Sequence, residues 1–196
     1  HLSLRRQRQM CIRDRGRLVR FEHGSIYWSP ETGAWEITGD MYKKWGEKGY
    51  EGGDLKFPTG PVKKVGDGLV QEFQGGILTR NPDGKNQVSF GAIGKKYKDM
   101  GGADSPLGFP TDGEKKVEGG FFQEFEHGSI YWSPESGAHY ILKGAIMDEW
   151  GKKGWEQGEF GWPTSDYSEI AAGGLKQEFQ HGTISEVMGR VQTEKK

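Results

Sequence analysis

The chain has almost no cysteine and no long apolar segment. Its single cysteine, Cys11, excludes a disulfide framework and a cysteine-based zinc site, and it leaves the redox compartment open. No apolar run approaches the roughly 18 residues that a membrane-spanning helix needs. We therefore predict a chain without membrane insertion.

Motifs of catalysis are also missing. Ser25, Ser129 and Thr183 follow glycine but lack the GxSxG pattern, and no histidine and carboxylate recur at an offset that would form a triad. Asp83 lies in half a calcium loop that lacks the closing Glu, and DGEKK at residues 112–116 lacks the glycines of a phosphate loop. We predict no enzyme activity, no catalytic residues, no cofactor and no metal site.

What the chain does contain is glycine and tryptophan. There are 33 glycines and 7 tryptophans, although only 33% of the residues are hydrophobic. Such a composition is typical of many tight turns with large aromatic anchors, and it argues against long buried helices.

The first fifteen residues differ from everything that follows. They carry five Arg and one Asp, show no period and resemble peptides produced when sequencing-adapter DNA is read as coding sequence, so we expect residues 1–15 to be a sequencing or cloning artefact and disordered. The alternative is a basic arm that binds nucleic acid or anionic lipid. Without this segment, Lys and Arg fall from 27 to 22, Asp and Glu from 28 to 27, and the net charge changes from −1 to −5. An acidic body argues against nucleic-acid binding, which needs clustered cations.

The rest of the chain is an internal repeat. FEHGSIYWSP at residues 21–30 recurs at residues 125–134, with diverged copies from residues 73 and 179, so the first phenylalanines step by 52, 52 and 54. A second marker follows the same period, because LKFPT at 55–59 returns as LGFPT at 107–111 and FGWPT at 160–164. Two markers in the same register indicate tandem repeats of about 52 residues.

Each repeat contains the pattern of a hairpin. The dipeptides His-Gly and Gly-Gly predict a two-residue turn with positive φ. That turn would pair Phe21 with Ile26 and each later phenylalanine with its counterpart, Leu78, Ile130 or Ile184, so we expect one apolar core face. SPETG, NPDGK and SPESG predict a second turn, followed by third strands at 34–38 and 138–142.

A short helix follows the third strand. The pairs Met41 and Trp45, Ile93 and Tyr97, and Ile146 and Trp150 are each four residues apart, which places both members of a pair on one helix face. Gly49, Gly101 and Gly154 stand where a left-handed C-terminal cap belongs. Because one such unit buries too little surface alone, we predict an α+β tandem repeat array, in which each unit is a short antiparallel β-hairpin or meander plus a short helix. The predicted segments are a truncated first repeat at 16–65, repeats at 66–117 and 118–170, and a partial fourth repeat with a tail at 171–196.

LGFPTDGEKKV at 107–117, followed by FEHGSIYWSPESGAHYI at 125–141, resembles the LGFP repeat family. The resemblance covers about residues 18–185. It implies extracellular modules of actinobacterial and related proteins, often appended to cell-wall enzymes such as mycolyltransferases, esterases and hydrolases, that anchor the protein to envelope polysaccharide. It also implies a propeller-like ring, usually of about five units, or an open arc. The second unit departs from the pattern at LTRNPDGKNQV, and the fourth departs after Ile184.

Comparison among the repeats separates scaffold from candidate site residues. The phenylalanines, the hairpin glycines and the prolines persist in every available unit. A second group is shared by the first and third repeats and is replaced by Gly75, Thr79, Arg80 and Gln87 in the second. We predict that this group, with Gln123 pairing across the hairpin with Trp132, binds carbohydrate by ring stacking and hydrogen bonds; it comprises His23, Tyr27, Trp28, Trp35, His127, Tyr131, Trp132 and His139.

A purely structural role is the alternative for several of these residues. Trp28 and Trp132 share the face of the hairpin isoleucines and could fill the core, whereas Tyr27 and Tyr131 point to the opposite face and are the better candidates. His23 and His127 could merely shape a turn.

The function predicted from the sequence is a non-catalytic module that attaches to cell-wall or other surface polysaccharide. We expect an extracellular, cell-wall-associated monomer that binds no nucleic acid. Two alternatives are a passive structural or protein-docking array and the C-terminal tail of an envelope hydrolase or mycolyltransferase.

Overall fold

The computed structural model of the protein describes residues 9–12, 16–22, 24–170 and 173–196. The chain divides into two compact units, residues 1–95 and 96–196. None of the helices in the described ranges is long and apolar enough to span a membrane.

The first repeat is a four-stranded antiparallel sheet followed by a helix. Its strands pair in chain order, β1 (Gln9–Ile12), β2 (Gly16–Phe21), β3 (Gly24–Ser29) and β4 (Gly33–Thr38), and α1 (Gly39–Glu47) follows. The expectation that all of residues 1–15 lie outside the fold is wrong for β1, because these four residues pair with β2 as the edge strand of the sheet. Residues 1–8 and 13–15 lie outside the described residues.

The second repeat has the same order of elements. Strands β5 (Lys63–Val65), β6 (Gly68–Phe73), β7 (Gly76–Arg80) and β8 (Asn86–Phe90) form the second sheet of the first unit. Helix α2 (Gly91–Asp99) begins in the first unit and ends in the second.

The third repeat opens the second unit. It consists of β9 (Lys115–Val117), β10 (Gly120–Phe125), β11 (Gly128–Ser133), β12 (Gly137–Leu142) and α3 (Ala145–Lys152). The predicted boundaries after residues 65, 117 and 170 each fall between the first two strands of a sheet.

The fourth repeat is more complete than predicted. After Ile184 the chain continues to the end of β15 (Gly182–Val187) and returns as β16 (Arg190–Lys195), beside β14 (Gly174–Phe179) and β13 (Ser168–Ile170). The last strand escaped prediction because it lacks the Pro-containing turn and apolar alternation of the other repeats, and all six of its residues are exposed.

The predicted helix faces and caps are confirmed. Met41 and Trp45 are buried together on α1, and the corresponding pairs of the later helices are buried as well. Gly49, Gly101 and Gly154 all have positive φ, at 89°, 104° and 95°. Each precedes a single 3-10 turn, and these turns span Tyr50–Gly52, Gly102–Asp104 and Trp155–Gln157.

The hairpin register differs from the prediction by two residues. Phe73 pairs with Gly76 and not with Leu78, and the same shift applies to the hairpins that begin at Phe21, Phe125 and Phe179. Gly76 has no positive φ; a Cβ there would lie 2.1 Å from the carbonyl oxygen of Ser89 on the next strand. The recurring glycine therefore admits a close backbone approach and does not serve a left-handed turn.

The Pro-Thr segment that follows the aromatic residue of each repeat is hydrogen-bonded to the hairpin of the next. Pro58 forms a bridge with Phe73, and the Thr59 N–H donates to the Glu72 carbonyl at 2.9 Å. Pro110 with Phe125 and Pro163 with Phe179 repeat the arrangement. Proline is tolerated here because the bridge takes its hydrogen bonds from neighbouring residues.

Each unit encloses a core that lies between two of its own sheets. In the first unit the core joins residues of β2 to β4, the α1 pair, Leu55 and residues of the second sheet. In the second unit the corresponding core joins Tyr131 and Ile141 to the α3 pair, Phe160, Trp162, Phe179 and Ile184. In each unit the helix therefore packs between two sheets. The second of these sheets contributes the face that carries Phe73 or Phe179 to the same core.

Candidate functional site

Tyr27 and Tyr131 are core residues, so the prediction that they are the better ligand contacts is wrong. Their side chains are 2% and 6% exposed. Tyr27 packs edge-on against Trp45 at 4.5 Å, and Tyr131 packs in the same way against Trp150 at 4.7 Å between ring centroids. Burial raises the pKa of both hydroxyls above the ordinary tyrosine value.

Trp28 and Trp132 lie on the opposite face of their strands and are only partly covered. Trp28 is 38% exposed, with the Arg17 guanidinium 5.7 Å from its ring. Trp132 is half-buried beside Phe121, at 5.9 Å between centroids. Neither tryptophan lines a cleft beside the Ser-Pro-Glu turns.

Gln123 does not pair with Trp132, and that prediction is wrong. It pairs with Ile130 and is fully buried, and its Nε2 donates to the Asp112 carbonyl at 3.0 Å. The equivalent Gln71 and Gln177 are also buried, and each donates to two carbonyl oxygens. These glutamines hold the backbone of the scaffold together and do not face a ligand.

Trp35 and His139 occupy equivalent positions and fasten the second turn of their repeats. The Trp35 Nε1 donates to the Thr32 carbonyl at 2.5 Å, and the His139 Nε2 lies 2.8 Å from the Ser136 carbonyl. The His139 Nδ1 lies 3.3 Å from the Asp166 carboxylate. Both side chains are therefore held by the turn and are not presented as free rings.

Asp166 connects three parts of the second unit. Its carboxylate also forms an ion pair with Lys96 and accepts from the Tyr140 N–H at 3.3 Å. Burial alone would raise the pKa of this carboxyl, but the hydrogen bonds from His139 and Lys96 outweigh it and lower the pKa below its ordinary value.

His127 is an exposed residue of a hairpin turn. Its N–H donates to the Leu107 carbonyl and its carbonyl accepts from the Lys143 N–H, so the backbone carries its structural role. His23, the corresponding residue of the first repeat, lies outside the described residues.

Two clefts with equivalent linings emerge instead, one in each unit, and the first unit has a further cleft of about 600 Å³ that is lined by residues of β2, α1 and Tyr50. The first cleft encloses about 450 Å³ and the second about 480 Å³. Both volumes lie within the range of small-molecule sites. The first cleft is lined by Ser29, Pro30, Glu31, Glu51, Gly52, Gly53, Lys56, Phe57 and Gln74. The second cleft is lined by Gly119, Ser133, Pro134, Glu135, Glu156, Gln157, Gly158, Gly161, Trp162, Gln180 and His181.

A glutamine closes each cleft in the same way. The Gln74 Oε1 accepts from the Phe57 N–H at 3.3 Å, and its Nε2 donates to the Glu31 carboxylate at 3.0 Å. In the second cleft Gln180 accepts from the Trp162 N–H at 3.0 Å and donates to Glu135 at 3.3 Å. The amide is thus held between a backbone donor and a carboxylate.

The Ser-Pro-Glu turn forms a preorganised wall of each cleft. The Ser29 Oγ accepts from the Thr32 N–H at 3.1 Å and lies 2.7 Å from the Thr32 hydroxyl oxygen. Ser133 and Ser136 repeat both contacts, at 3.1 Å and 2.6 Å. Because the turn is braced by its own side chains, the glutamate that follows the proline is held at the cleft.

Both clefts combine two carboxylates, a bridging amide and a Phe or Trp ring, and the second cleft adds Gln157 and His181. Carboxylates and amides bond hydroxyl groups, and an aromatic ring provides an apolar face, which together suit a sugar. The first cleft adds the cation of Lys56 where the second has Gly161. Among the described residues, no group of three or more His, Cys, Asp or Glu side chains could hold a metal ion.

Sequence reasoning missed these clefts, although one signal was present. SPE recurs letter for letter in the first and third repeats, and Glu51 recurs as Glu156 whereas the second repeat has Ala103. We interpreted SPE only as a turn, because nothing local in the sequence brings it to a glutamine of the following repeat.

The sheets, helices and paired clefts define a repeat protein of the α+β class. Its sequence matches the LGFP repeat at residues 6–53, 55–105 and 107–158. The chain therefore belongs to the LGFP repeat family. The match begins before β2, which agrees with the placement of β1 in the first repeat.

Other comparisons add little. No curated protein matches the chain. One solved structure, S. cerevisiae Dbp5 bound to Nup159, Gle1, IP6 and ADP, is 8% identical, with 95% of this chain and 46% of that chain covered and a TM-score of 0.18. This chain thus spans less than half of that one, and so low a TM-score carries no argument about fold.

Proposed function

We propose that this chain is a non-catalytic module that attaches to polysaccharide of the cell envelope through the two clefts. The observation that carries the proposal is the recurrence of one cleft in both units, with the same Ser-Pro-Glu wall, the same glutamine bridge and a glutamate at the same position. The scaffold does not require this glutamate, because the second repeat, which belongs to the same family, has Ala103 at the position of Glu51 and Glu156.

An extracellular, wall-associated location and a ring or open arc of repeats are what family membership implies. The absence of catalysis, a monomeric state and the absence of nucleic-acid binding are expectations from the composition and motifs of the sequence.

Retention on insoluble wall polysaccharide tests the proposal. Glu51→Ala combined with Glu156→Ala installs the residue that the second repeat already carries. Loss of one charge-assisted hydrogen bond per cleft should weaken binding by roughly tenfold or more. The matched control is Glu47→Ala with Asp148→Ala, which changes the charge equally at exposed positions outside the clefts.

The outcomes separate the alternatives. We expect the unsubstituted protein and the control to be retained alike and the cleft variant to be washed off. Equal retention of all three proteins would show that the clefts are not the binding site. The partly exposed tryptophans would then be tested with Trp28→Arg and Trp132→Arg, which introduce the residue found at Arg80. No retention of the unsubstituted protein would contradict polysaccharide attachment.

A passive structural or protein-docking array is the second candidate. The burial of Tyr27 and Tyr131 between sheets favours it, because aromatic residues that sealed repeat interfaces would need no ligand. The retention measurement separates the two functions, since a passive array would not be held by the polysaccharide.

A further inference from the structure

Two large aromatic side chains remain exposed immediately before the cleft glutamates. Tyr50 is 37% exposed and Trp155 is 40% exposed. They are the first residues of the 3-10 turns in the first and third repeats, and Glu51 and Glu156, which follow them, line the clefts. They directly precede the cleft glutamates in the chain but do not line those clefts, and the Tyr50 ring instead lines the neighbouring cleft of about 600 Å³ with Tyr42.

Both residues have a backbone conformation that favours glycine. Tyr50 has φ of 54° and Trp155 has φ of 56°, a region that L-residues with a Cβ rarely adopt. The second repeat has Gly102 at this position, with φ of 62°. The fold therefore accepts glycine there, and an aromatic residue imposes backbone strain that the turn itself does not require.

The helix before each turn has a glycine against which the aromatic ring packs. A Cβ added to Gly46 would lie 2.7 Å from the Tyr50 ring, and one added to Gly151 would lie 2.6 Å from the Trp155 ring. In the second repeat the corresponding helix residue is Lys98. The helix residue and the turn residue thus change together. Gly46 accompanies Tyr50 in the first repeat, Lys98 accompanies Gly102 in the second, and Gly151 accompanies Trp155 in the third.

A purely protective role for the rings does not explain this pattern. The Tyr50 and Trp155 rings stand edge-on to Trp45 and Trp150, at 5.5 and 5.2 Å. Such a role would be to cover Trp45 and Trp150 against solvent. However, Tyr97 at the equivalent position of the second repeat is fully buried although Gly102 supplies no ring.

We propose that Tyr50 and Trp155 are aromatic platforms that stack on a sugar ring of the polysaccharide next to the one held in each cleft. This inference rests on the proposed function. Strain at an exposed position is tolerated where it presents a group to a ligand. An aromatic ring fixed on one side and open on the other suits the C–H face of a sugar.

The test transplants the pair of residues found in the second repeat. The platform variant carries Gly46→Lys with Tyr50→Gly and Gly151→Lys with Trp155→Gly. We expect its retention on wall polysaccharide to fall by tenfold or more, whereas its thermal unfolding midpoint stays within a few degrees of the unsubstituted protein. The matched control, Glu47→Ala with Asp148→Ala, raises the net charge by the same two units at exposed residues of the same helices and should be retained normally.

The three possible outcomes distinguish the aromatic platforms from polysaccharide attachment itself. If the unsubstituted protein is retained and the platform variant is retained equally, the platforms are overturned while polysaccharide attachment stands. If the platform variant loses much of its thermal stability, the rings are structural lids and the inference is also overturned. If the unsubstituted protein is not retained, both the proposed function and the platforms fail.

Discussion

Tyr27 and Tyr131 show that the tyrosine face of the hairpin strand is a core face in both the first and the third repeat. Alternation along the strand predicts the phenylalanine and isoleucine side chains on one face and the tyrosines on the other, and the register confirms this division. The error concerned which face is buried. In the third repeat both faces are covered, with Phe125 and Ile130 fully buried, whereas in the first repeat the predicted core face is open, with Phe21 50% and Ile26 37% exposed. Because each sheet contributes to a core with its own helix, the tyrosine face is covered in both repeats. Alternation along a strand reveals two faces but does not say what covers them.

Truncation of Tyr131 should therefore be costly. Tyr131→Ala leaves a cavity beside Trp150 and should lower the free energy of unfolding by about 3–5 kcal/mol. Tyr131→Phe, which keeps the ring, should stay within about 1 kcal/mol of the unsubstituted protein. Urea denaturation measures both, and an alanine variant as stable as the phenylalanine variant would show that Tyr131 does not fill a core.

Lys56 should be a strained residue whose replacement stabilises the protein. Its φ is 58°, and the corresponding Gly108 and Gly161 both have φ of 70°. Lys56→Gly relieves the left-handed strain at some entropic cost, so we expect a net gain of about 0.5–1 kcal/mol. Lys48→Gly is the control; because Lys48 has φ of −96°, glycine there should lower stability. Thermal melts check the signs, and a loss on Lys56→Gly would be inconsistent with strain.

Asp166 should make the free energy of unfolding of the second unit depend on pH in the acid range. The folded pKa of its carboxyl is lowered, so its contribution to stability is present above the unfolded value of about 4 and disappears as the pH falls through the folded value. Asp166→Asn should therefore be less stable than the unsubstituted protein at pH 7, and the difference should shrink below about pH 4. Denaturation curves at pH 7 and pH 3 measure this, and a difference that grows in acid would contradict the sign.

At the scale of elements, the helices and third strands were predictable because their signals are local. The four-residue spacing of Ile146 and Trp150 and the turn glycine Gly137 act within a few residues of the structure they specify. The hairpin register was not predictable in the same way. It depends on the approach of a third strand to Gly128, and a His-Gly dipeptide is compatible with either register.

The close approach at Gly128 gives a direct test of the hairpin register. Gly128→Ala would place a Cβ 2.3 Å from the Ile141 carbonyl oxygen, so stability should fall by at least about 2 kcal/mol. Gly113→Ala is the control, because a Cβ there meets no atom within 4 Å and the glycine has no positive φ. If both variants melt alike, the third strand does not lie against Gly128.

At the scale of the whole molecule, the repeat was readable from the sequence, but the clefts were not. Each cleft joins a turn of one repeat to a glutamine of the next, and the bonded pairs Glu31 with Gln74 and Glu135 with Gln180 are 43 and 45 residues apart. Such pairs arise only when neighbouring repeats stack. Reading one repeat at a time therefore recovers the scaffold and misses the site.

The most direct test of polysaccharide binding by the clefts is a nuclear magnetic resonance titration of the side-chain amides with solubilised wall oligosaccharide. The Gln74 and Gln180 amides line the clefts, whereas the Gln71 and Gln177 amides are buried in the scaffold and serve as internal references. Polysaccharide binding by the clefts predicts saturable shifts of the first two amides and little change in the second two. Shifts that spare Gln74 and Gln180, or an absence of shifts at saturating oligosaccharide, would contradict it.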